Sequence, residues 1–313
     1  MAQGIMKRVF KWLGLIFGAV VAFIVVALMF VYWRSGSIMN QKVVAAETRP
    51  LTVQTDSASV AWGGHLQHCI TGCSECHGDH FQGKKFADDP AFGRLYAPNI
   101  TCGKGGRLTD IGPFERAVRH GIRHDGTALW IMPSHHYTYL SDDDVAALYA
   151  YLVSVAPVDG EQPDRKLGPI GRMLLVQGKL TFVFADRINQ DAPRPAKPQA
   201  GPTAEYGQYL ARVSCIGCHG PNLSGGVIYG SDPTWPPSAN LTRGGIAAQY
   251  TEQDFFTALR EGKRPGGAAL NPVMPWQLMR DMTDDEIRAL WLYLQSAPPA
   301  PYGSGNWAET RTP

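Results

Sequence analysis

The chain opens on an apolar run and then shifts to apolar positions recurring at helical spacing. Residues Trp12 to Trp33 carry no charge. At about 1.5 Å per residue, a helix of this length crosses a hydrocarbon core of about 30 Å. Lys7, Arg8 and Lys11 precede it, and only Arg34 follows closely. The excess of positive charge before the run places the N-terminus in the cytoplasm. The rest of the chain is then periplasmic, on a single-pass anchor in the cell inner membrane. Trp12, Tyr32 and Trp33 stand at the ends, where interfacial aromatics belong. A cleaved signal peptide is the rival, with Val44-Ala45-Ala46 as a weak cleavage site. A signal h-region spans only about 7–15 residues, so a retained anchor is the expectation.

Further along, Val145, Leu148, Tyr149 and Leu152 fall at i, i+3, i+4 and i+7, as do Ile287, Leu290, Trp291 and Leu294. Each set follows a capping pattern, Ser141-x-x-Asp144 and Thr283-x-x-Glu286. Each ends near an Ala-Pro pair, Ala156-Pro157 and Ala297-Pro298. These are two copies of one helix. The repeat extends backwards: Gly78-Asp-His-Phe81-Gln-Gly83 matches Gly220-Pro-Asn-Leu223-Ser-Gly225, Asn99-Ile-Thr101 matches Asn240-Leu-Thr242, and Arg119-His-Gly121 matches Arg260-Glu-Gly262. A middle helix is expected over 114–121 and 255–262. An earlier helix carries Gly63, Gly64 and Leu66 in one copy and Tyr206, Gly207, Tyr209 and Leu210 in the other. Its small residues allow the first and last helices to cross closely.

Composition adds little that is positive. Charged residues make up 18% and the net charge is +2, with no basic run after the first dozen residues, so nucleic-acid binding is not expected. The chemistry lies in Cys-x-x-Cys-His, present at Cys73, Cys76, His77 and again at Cys215, Cys218, His219. Two thiols at this spacing form thioethers to one haem, and the adjacent His ligates its iron. Met132-Pro133 and Met274-Pro275 follow at the same distance in both copies. Met132 and Met274 are therefore the expected sixth ligands, and His/Met ligation raises the reduction potential. The cofactors expected are two covalently bound haem c groups. In the first copy His135, His136, His120 and His124 are rival ligands; the second copy has no His besides His219. His135 and His136 are read as surface or propionate-side residues.

The repeated Asn-x-Thr sites read as a loop near the haem edge, with Asn and Thr as candidate propionate donors. Arg119 and Arg260 read as a solvated helix face, with a propionate role as the alternative. Cys69 lies in a two-residue insertion of the first copy, and Cys102 has Arg243 as its counterpart. Two extra cysteines in an oxidising compartment suggest a Cys69–Cys102 disulfide, with two free thiols as the alternative. The segment Ile170 to Phe184 is too apolar for a flexible linker and is expected to pack within the chain; docking of a partner or of the membrane surface is the alternative.

The haem motif near the start of each copy, the Met loop and the last helix together resemble class I cytochrome c. The stretch from Tyr96-Ala-Pro-Asn-Ile-Thr101 through Met132-Pro133 to Asp144 is similar to the cytochrome c subunits of membrane-bound alcohol and gluconate dehydrogenases. Those subunits carry three haem motifs and a C-terminal membrane attachment; this chain has two motifs and an N-terminal anchor. The resemblance implies an all-α fold of two tandem class I cytochrome c domains plus one N-terminal transmembrane helix. The boundaries expected are an anchor over 1–40, a linker over 41–58, a first domain over 59–158, an interdomain segment over 159–202, a second domain over 203–298 and a C-terminal tail over 299–313. The implied function is electron transfer between a dehydrogenase, quinol-oxidising complex or reaction centre and a downstream oxidase or cytochrome. The implied partners are redox proteins, most naturally in a membrane complex. A dihaem peroxidase is the enzymatic alternative.

Overall fold

In the computed structural model, which describes residues 2–44, 50–181, 183–232, 234–305 and 307, the apolar run lies inside one long helix, α1 (Ala2–Met39). Side chains are described from residue 5. Ala45 and Ala46 of the cleavage-site reading, and residues 306 and 308–313 of the C-terminal tail, lie outside the described residues. α1 is long and apolar enough to cross a membrane, and its side chains are exposed along nearly all of its length.

The first copy follows with α2 (Ser57–His65), α3 (Cys73–His77), strands β1 (Lys84–Asp89) and β2 (Gly93–Ala97), α4 (Ile111–His120), α5 (Ser134–Tyr137) and α6 (Asp142–Ser154). A connecting stretch supplies β3 (Lys166–Leu167) and α7 (Pro169–Val176). The second copy holds α8 (Ala204–Ser214), α9 (Ile216–His219), α10 (Glu252–Glu261), α11 (Trp276–Met279) and α12 (Asp284–Ser296). The predicted middle and last helices are present, and the last helices end where Val155 and Ala297 turn extended ahead of proline.

First and last helices cross in each copy at a glycine. A Cβ on Gly63 would lie 2.0 Å from the carbonyl oxygen of Ala147, and one on Gly207 would lie 1.9 Å from that of Ala289. No side chain fits at such an approach. Gly207→Ala is therefore expected to lower stability by about 3 kcal/mol, the upper end of ordinary overpacking costs. Chemical denaturation reads this loss, and a change under 1 kcal/mol would show that the crossing is loose.

The two-residue insertion of the first copy becomes a buried π-helical turn, Leu66–Ile70, in which Thr71 N–H bonds the Leu66 carbonyl at 2.8 Å. The second copy runs straight from α8 into Cys215. A three-stranded antiparallel sheet, in the order β1-β2-β3, is a further feature of the first copy. Its counterpart in the second copy is a single bridge between Gly226 and Ser238.

Residues 41–43, at the start of the expected linker, are tied to the first copy. Lys42 pairs with Thr127 in a β-bridge, Val43 N–H bonds the Gly126 carbonyl at 3.1 Å, and Ala128 N–H bonds that of Gln41 at 2.9 Å. The apolar stretch after Ile170 packs within the chain, as expected: Leu175 joins Met39, Leu95 and Leu167 in one small core.

The main core is shared by both copies. Leu66, Val145 and Leu148 of the first pack in one cluster with Leu210, Ile287 and Leu290 of the second. Two equivalent carboxylates cross this junction. Glu286, at the start of α12, meets Nε2 of His65 at 2.9 Å. Asp144, at the start of α6, accepts from the hydroxyl of Tyr209 on α8. Each last helix thus bonds the first helix of the other copy.

His65 is held protonated by Cys69 Sγ on its other ring nitrogen and by the Glu286 carboxylate, which push its pKa up to about 10. Burial alone would raise Glu286, but its bonds to His65 and Thr283 hold it below the ordinary carboxylate value. A raised His pKa stabilises the fold fully below its unfolded value of about 6.5 and loses that contribution as pH climbs towards 10. Melting temperature is therefore expected to fall between pH 6.5 and 10, and His65→Gln should flatten that slope. An identical slope in the variant would rule out this pair as its cause.

Candidate haem-binding sites

Each Cys-x-x-Cys-His segment forms a short helix ending in a glycine of positive φ, Gly78 (φ 83°) and Gly220 (φ 80°). The next loops are twins. The carbonyls of His77 and His219 accept from Gly83 N and Gly225 N at 2.8 and 2.9 Å. Phe81 (φ 57°) and Leu223 (φ 61°) are buried in the left-handed region, which side-chain-bearing residues seldom occupy. Their carbonyls accept from Ile100 N and Leu241 N.

This loop geometry fixes the imidazoles. His77 donates from Nδ1 to the Pro98 carbonyl at 2.9 Å, and His219 from Nδ1 to the Ala239 carbonyl at 2.8 Å. Burial lowers both pKa values, so the rings are neutral. With the proton on Nδ1, Nε2 carries the lone pair needed for an iron. Burial likewise raises the pKa values of Cys73 and Cys215 to about 11, and raises those of Cys76 and Cys218. Among the described residues, no three His, Cys, Asp or Glu side chains gather as metal-ion ligands. The donor set fits thioether attachment with one axial imidazole.

Met132 and Met274 sit in matching turns. Pro133 and Pro275 share nearly the same backbone angles, φ −84° and −81° with ψ 53° in both. Ser134 N and Trp276 N bond back to the two Met carbonyls at 2.9 and 2.8 Å. Both methionines are half-buried against the shared core. Behind the second turn, a Cβ on Gly262 would lie 2.3 Å from Trp276, and the φ of Gly262 is 67°. Glycine at the end of α10 is what lets α11 close over it.

The two sites meet at the junction of the copies. A Cβ on Gly217, inside the second haem motif, would lie 3.0 Å from Nε2 of His136. One on Gly72, before the first motif, would lie 3.2 Å from Leu278. His136 follows Met132 by four residues and Leu278 follows Met274 by four, so each Met loop leans on the other copy's haem motif. Tyr137 donates to the Thr71 carbonyl. Burial, and then Cys73, Cys76 and Cys218, raise its pKa well above the ordinary value.

Several expectations need correction. His135 and His136 are not surface residues: they are 3% and 9% exposed. His135 stacks on Phe184, and neither ring nitrogen finds a hydrogen-bond partner. His136 Nδ1 bonds the Val213 carbonyl at 2.7 Å. Burial lowers their pKa values to about 2 and about 4. The Asn99 amide is taken up by two backbone carbonyls and so is not a propionate donor, and the Asn240 amide is likewise turned to the backbone. Asn99 Nδ2 donates to Val158 and Gly160, Asn240 Nδ2 donates to Ala300, and each Oδ1 accepts from the Thr two residues on. These residues brace the loops whose carbonyls orient His77 and His219.

Arg119 is 2% exposed and bonds Glu115, Asp142 and the Leu140 carbonyl, so it is not on a solvated face. Arg260 is partly covered and reaches the Arg280 carbonyl and Asp284. The Cys69–Cys102 disulfide is absent. Cys69 is buried in the π-helical turn beside His65, while Cys102 is exposed on the loop after Thr101. Two further contributors lay outside the sequence reading. Tyr137 occupies the position of Met279 and carried no repeat signal, and Trp307 bonds the Ile216 carbonyl from beyond the last helix.

The family model for cytochrome c matches residues 67–156 and 204–298. The chain is 30% identical over 288 residues to the fructose dehydrogenase cytochrome subunit of Gluconobacter japonicus, covering 82% of this chain and 56% of that protein. It is equally similar to the alcohol dehydrogenase (quinone) cytochrome c subunit of Gluconacetobacter polyoxogenes, covering 82% of this chain and 59% of that protein. The gluconate 2-dehydrogenase cytochrome c subunit of Pantoea cypripedii is 30% identical over 272 residues, covering 78% and 60%. The chain therefore spans less than two thirds of the length of these curated relatives.

Proposed function

Since this chain belongs to the cytochrome c family, we propose that it is a membrane-anchored dihaem electron carrier serving a dehydrogenase. Covalently bound haem c is the cofactor of its two cytochrome c segments. When bound, each haem c supplies a one-electron ferrous/ferric couple. Cys73 and Cys76 would hold one group and Cys215 and Cys218 the other, with His77 and Met132 as the iron-ligating side chains of the first and His219 and Met274 as those of the second. The observation that carries this assignment is the twinned geometry of the two sites, from the Nδ1–carbonyl bonds to the Met-Pro turns.

The chain's own residues do three things for this chemistry. Pro98 and Ala239 fix the tautomer and plane of the axial imidazoles. Phe81, Leu223 and the shared core keep water away, which limits reorganisation. The crossed Met loops hold the two sites in one rigid relation.

α1 spans the inner membrane in this reading, with Lys7, Arg8 and Lys11 on the cytoplasmic side and both domains in the periplasm. The domains run over 59–158 and 203–298. The electron donor is the catalytic subunit of a membrane dehydrogenase, as the names of the relatives suggest. The acceptor is quinone, an oxidase or another cytochrome. No reported relative is named as a peroxidase, and that alternative is not carried further. Affinity purification from detergent-solubilised membranes tests the reading: a dehydrogenase should co-purify, and its substrate should reduce both haems. Isolation of the chain alone, unreduced by any membrane dehydrogenase, would defeat it.

A further inference from the structure

The connection between the two copies carries a helix, α7, that electron transfer does not require. Its inner face is accounted for. Gly171 is buried, with room for no side chain, since its Cβ would lie 2.2 Å from the Phe92 carbonyl. Leu175 packs with Met39 and Leu167. Its outer face is apolar and bare: Ile170 is 48% exposed and Met173 43%, one helical turn apart.

What distinguishes this face is where it sits on α1. The Arg172 guanidinium lies over the Tyr32 ring, 4.7 Å from its centre, and donates to Ser35 Oγ at 2.9 Å. Ser35 is fully buried by this contact region, and Met39 nearly so. Tyr32 and Trp33 end the charge-free run, so they mark the level of the membrane interface. From Tyr32 to Met39 the helix rises about 10 Å. The headgroup layer on one side of a bilayer is about 5–8 Å thick. The two contacts of Arg172, Tyr32 and Ser35, are about 4.5 Å apart along α1, so this end of α7 lies at headgroup depth, and Leu175 against Met39 lies at its outer edge.

We propose that α7 is an interfacial membrane helix whose Ile170 and Met173 side chains enter the acyl boundary. The occupant of the bare face is the lipid surface in which α1 is embedded. Arg172 suits this placement, since its stem runs along apolar surface while its head reaches Ser35 and the aromatic ring. The β1–β2 turn lies alongside, with Ile170 N–H bonding the Ala91 carbonyl at 2.9 Å, so the first domain is seated on the membrane through α7 and this turn. The consequence is a fixed height and tilt for the first domain. An electron-transfer partner in the same membrane then meets that domain in one orientation instead of searching from a tether.

This inference rests on the reading of α1 as a membrane span, and the test separates the two. Single cysteines are introduced as Ile170→Cys, Met173→Cys and Phe23→Cys in a Cys102→Ser background and spin-labelled in the oxidised holoprotein. The labelled full chain is placed in phosphatidylcholine nanodiscs. Power saturation is then measured with oxygen, which concentrates in lipid, and with a water-soluble nickel chelate. Labels at 170 and 173 should collide several-fold more with oxygen than with nickel, as at Phe23. Lipid-like behaviour at 23 with water-like behaviour at 170 and 173 would overturn the interfacial helix alone. Water-like behaviour at 23 as well would overturn the span. Shielding of 170 and 173 from both reagents would mean that a protein surface covers α7, which also overturns the proposal.

Discussion

Asp144→Ala should destabilise the protein by about 3–5 kcal/mol, the range found when one member of a buried ion pair is removed. The side chain has no solvent exposure. Lys197 Nζ lies 2.6 Å from Oδ1, Trp62 Nε1 donates to the same oxygen at 2.7 Å, and the Tyr209 hydroxyl donates to Oδ2. Truncation strands the Tyr209 hydroxyl and the indole N–H away from water, each an unmet donor costing about 1–3 kcal/mol. Lys197, at 24% side-chain exposure, recovers part of its loss by turning to solvent. Tyr209→Phe removes only one of the three donors and should cost about 1–2 kcal/mol. A double-mutant cycle between these positions then gives a coupling above about 0.5 kcal/mol, because their contact is direct. Unfolding followed by haem absorbance and by far-UV circular dichroism supplies the numbers. A loss below 1 kcal/mol for Asp144→Ala would mean that the Asp144 cluster adds little to the junction beyond its apolar contacts and the His65–Glu286 pair.

That residue also shows where a sequence reading stops. Ser141-x-x-Asp144 and Thr283-x-x-Glu286 were legible as helix starts, and Thr283 does form the complete reciprocal box with Glu286. In the first copy only half of the box exists. Ser141 Oγ accepts from Asp144 N, but the Asp144 carboxylate has turned to Tyr209, Trp62 and Lys197. Local pattern identifies a cap; only the other copy decides what the acid binds. The same reason hides His135 and His136. Their neighbours Phe184, Val213 and Trp307 are between 49 and 172 positions away, which no local periodicity reports. β1 was hidden differently, because Lys84-Lys-Phe-Ala-Asp-Asp89 is nearly all exposed and has no apolar alternation. By contrast the long apolar helix, the repeat, the close helix crossing at Gly63 and Gly207 and both Met turns were legible, since each depends on short-range pattern or on matched spacing.

Met274→Ala should lower the potential of the second haem by a few tenths of a volt, within the roughly 0.8 V that axial ligation spans. A thioether donates weakly and favours ferrous iron; water or hydroxide in its place favours ferric iron. The second copy offers no replacement imidazole, since His219 is its only histidine. The first copy has imidazoles close in sequence, yet they are committed. His136 is tied to the Val213 carbonyl and pressed against Gly217, and His135 is held between Phe184 and Trp307. Met132→Ala should therefore behave like Met274→Ala and not convert to a bis-imidazole site. Each single variant should lose half of the near-infrared charge-transfer intensity that marks Met ligation, and the double variant all of it. Full intensity in either single variant would remove that methionine from the ligand set. The effect on function follows from size. For a one-electron couple each 59 mV is about a factor of ten in equilibrium constant. A drop of about 0.2 V at one haem thus shifts the electron between the two sites by more than three powers of ten. The affected haem stays ferric while its neighbour is reduced, so transfer through the pair stalls although both domains remain folded.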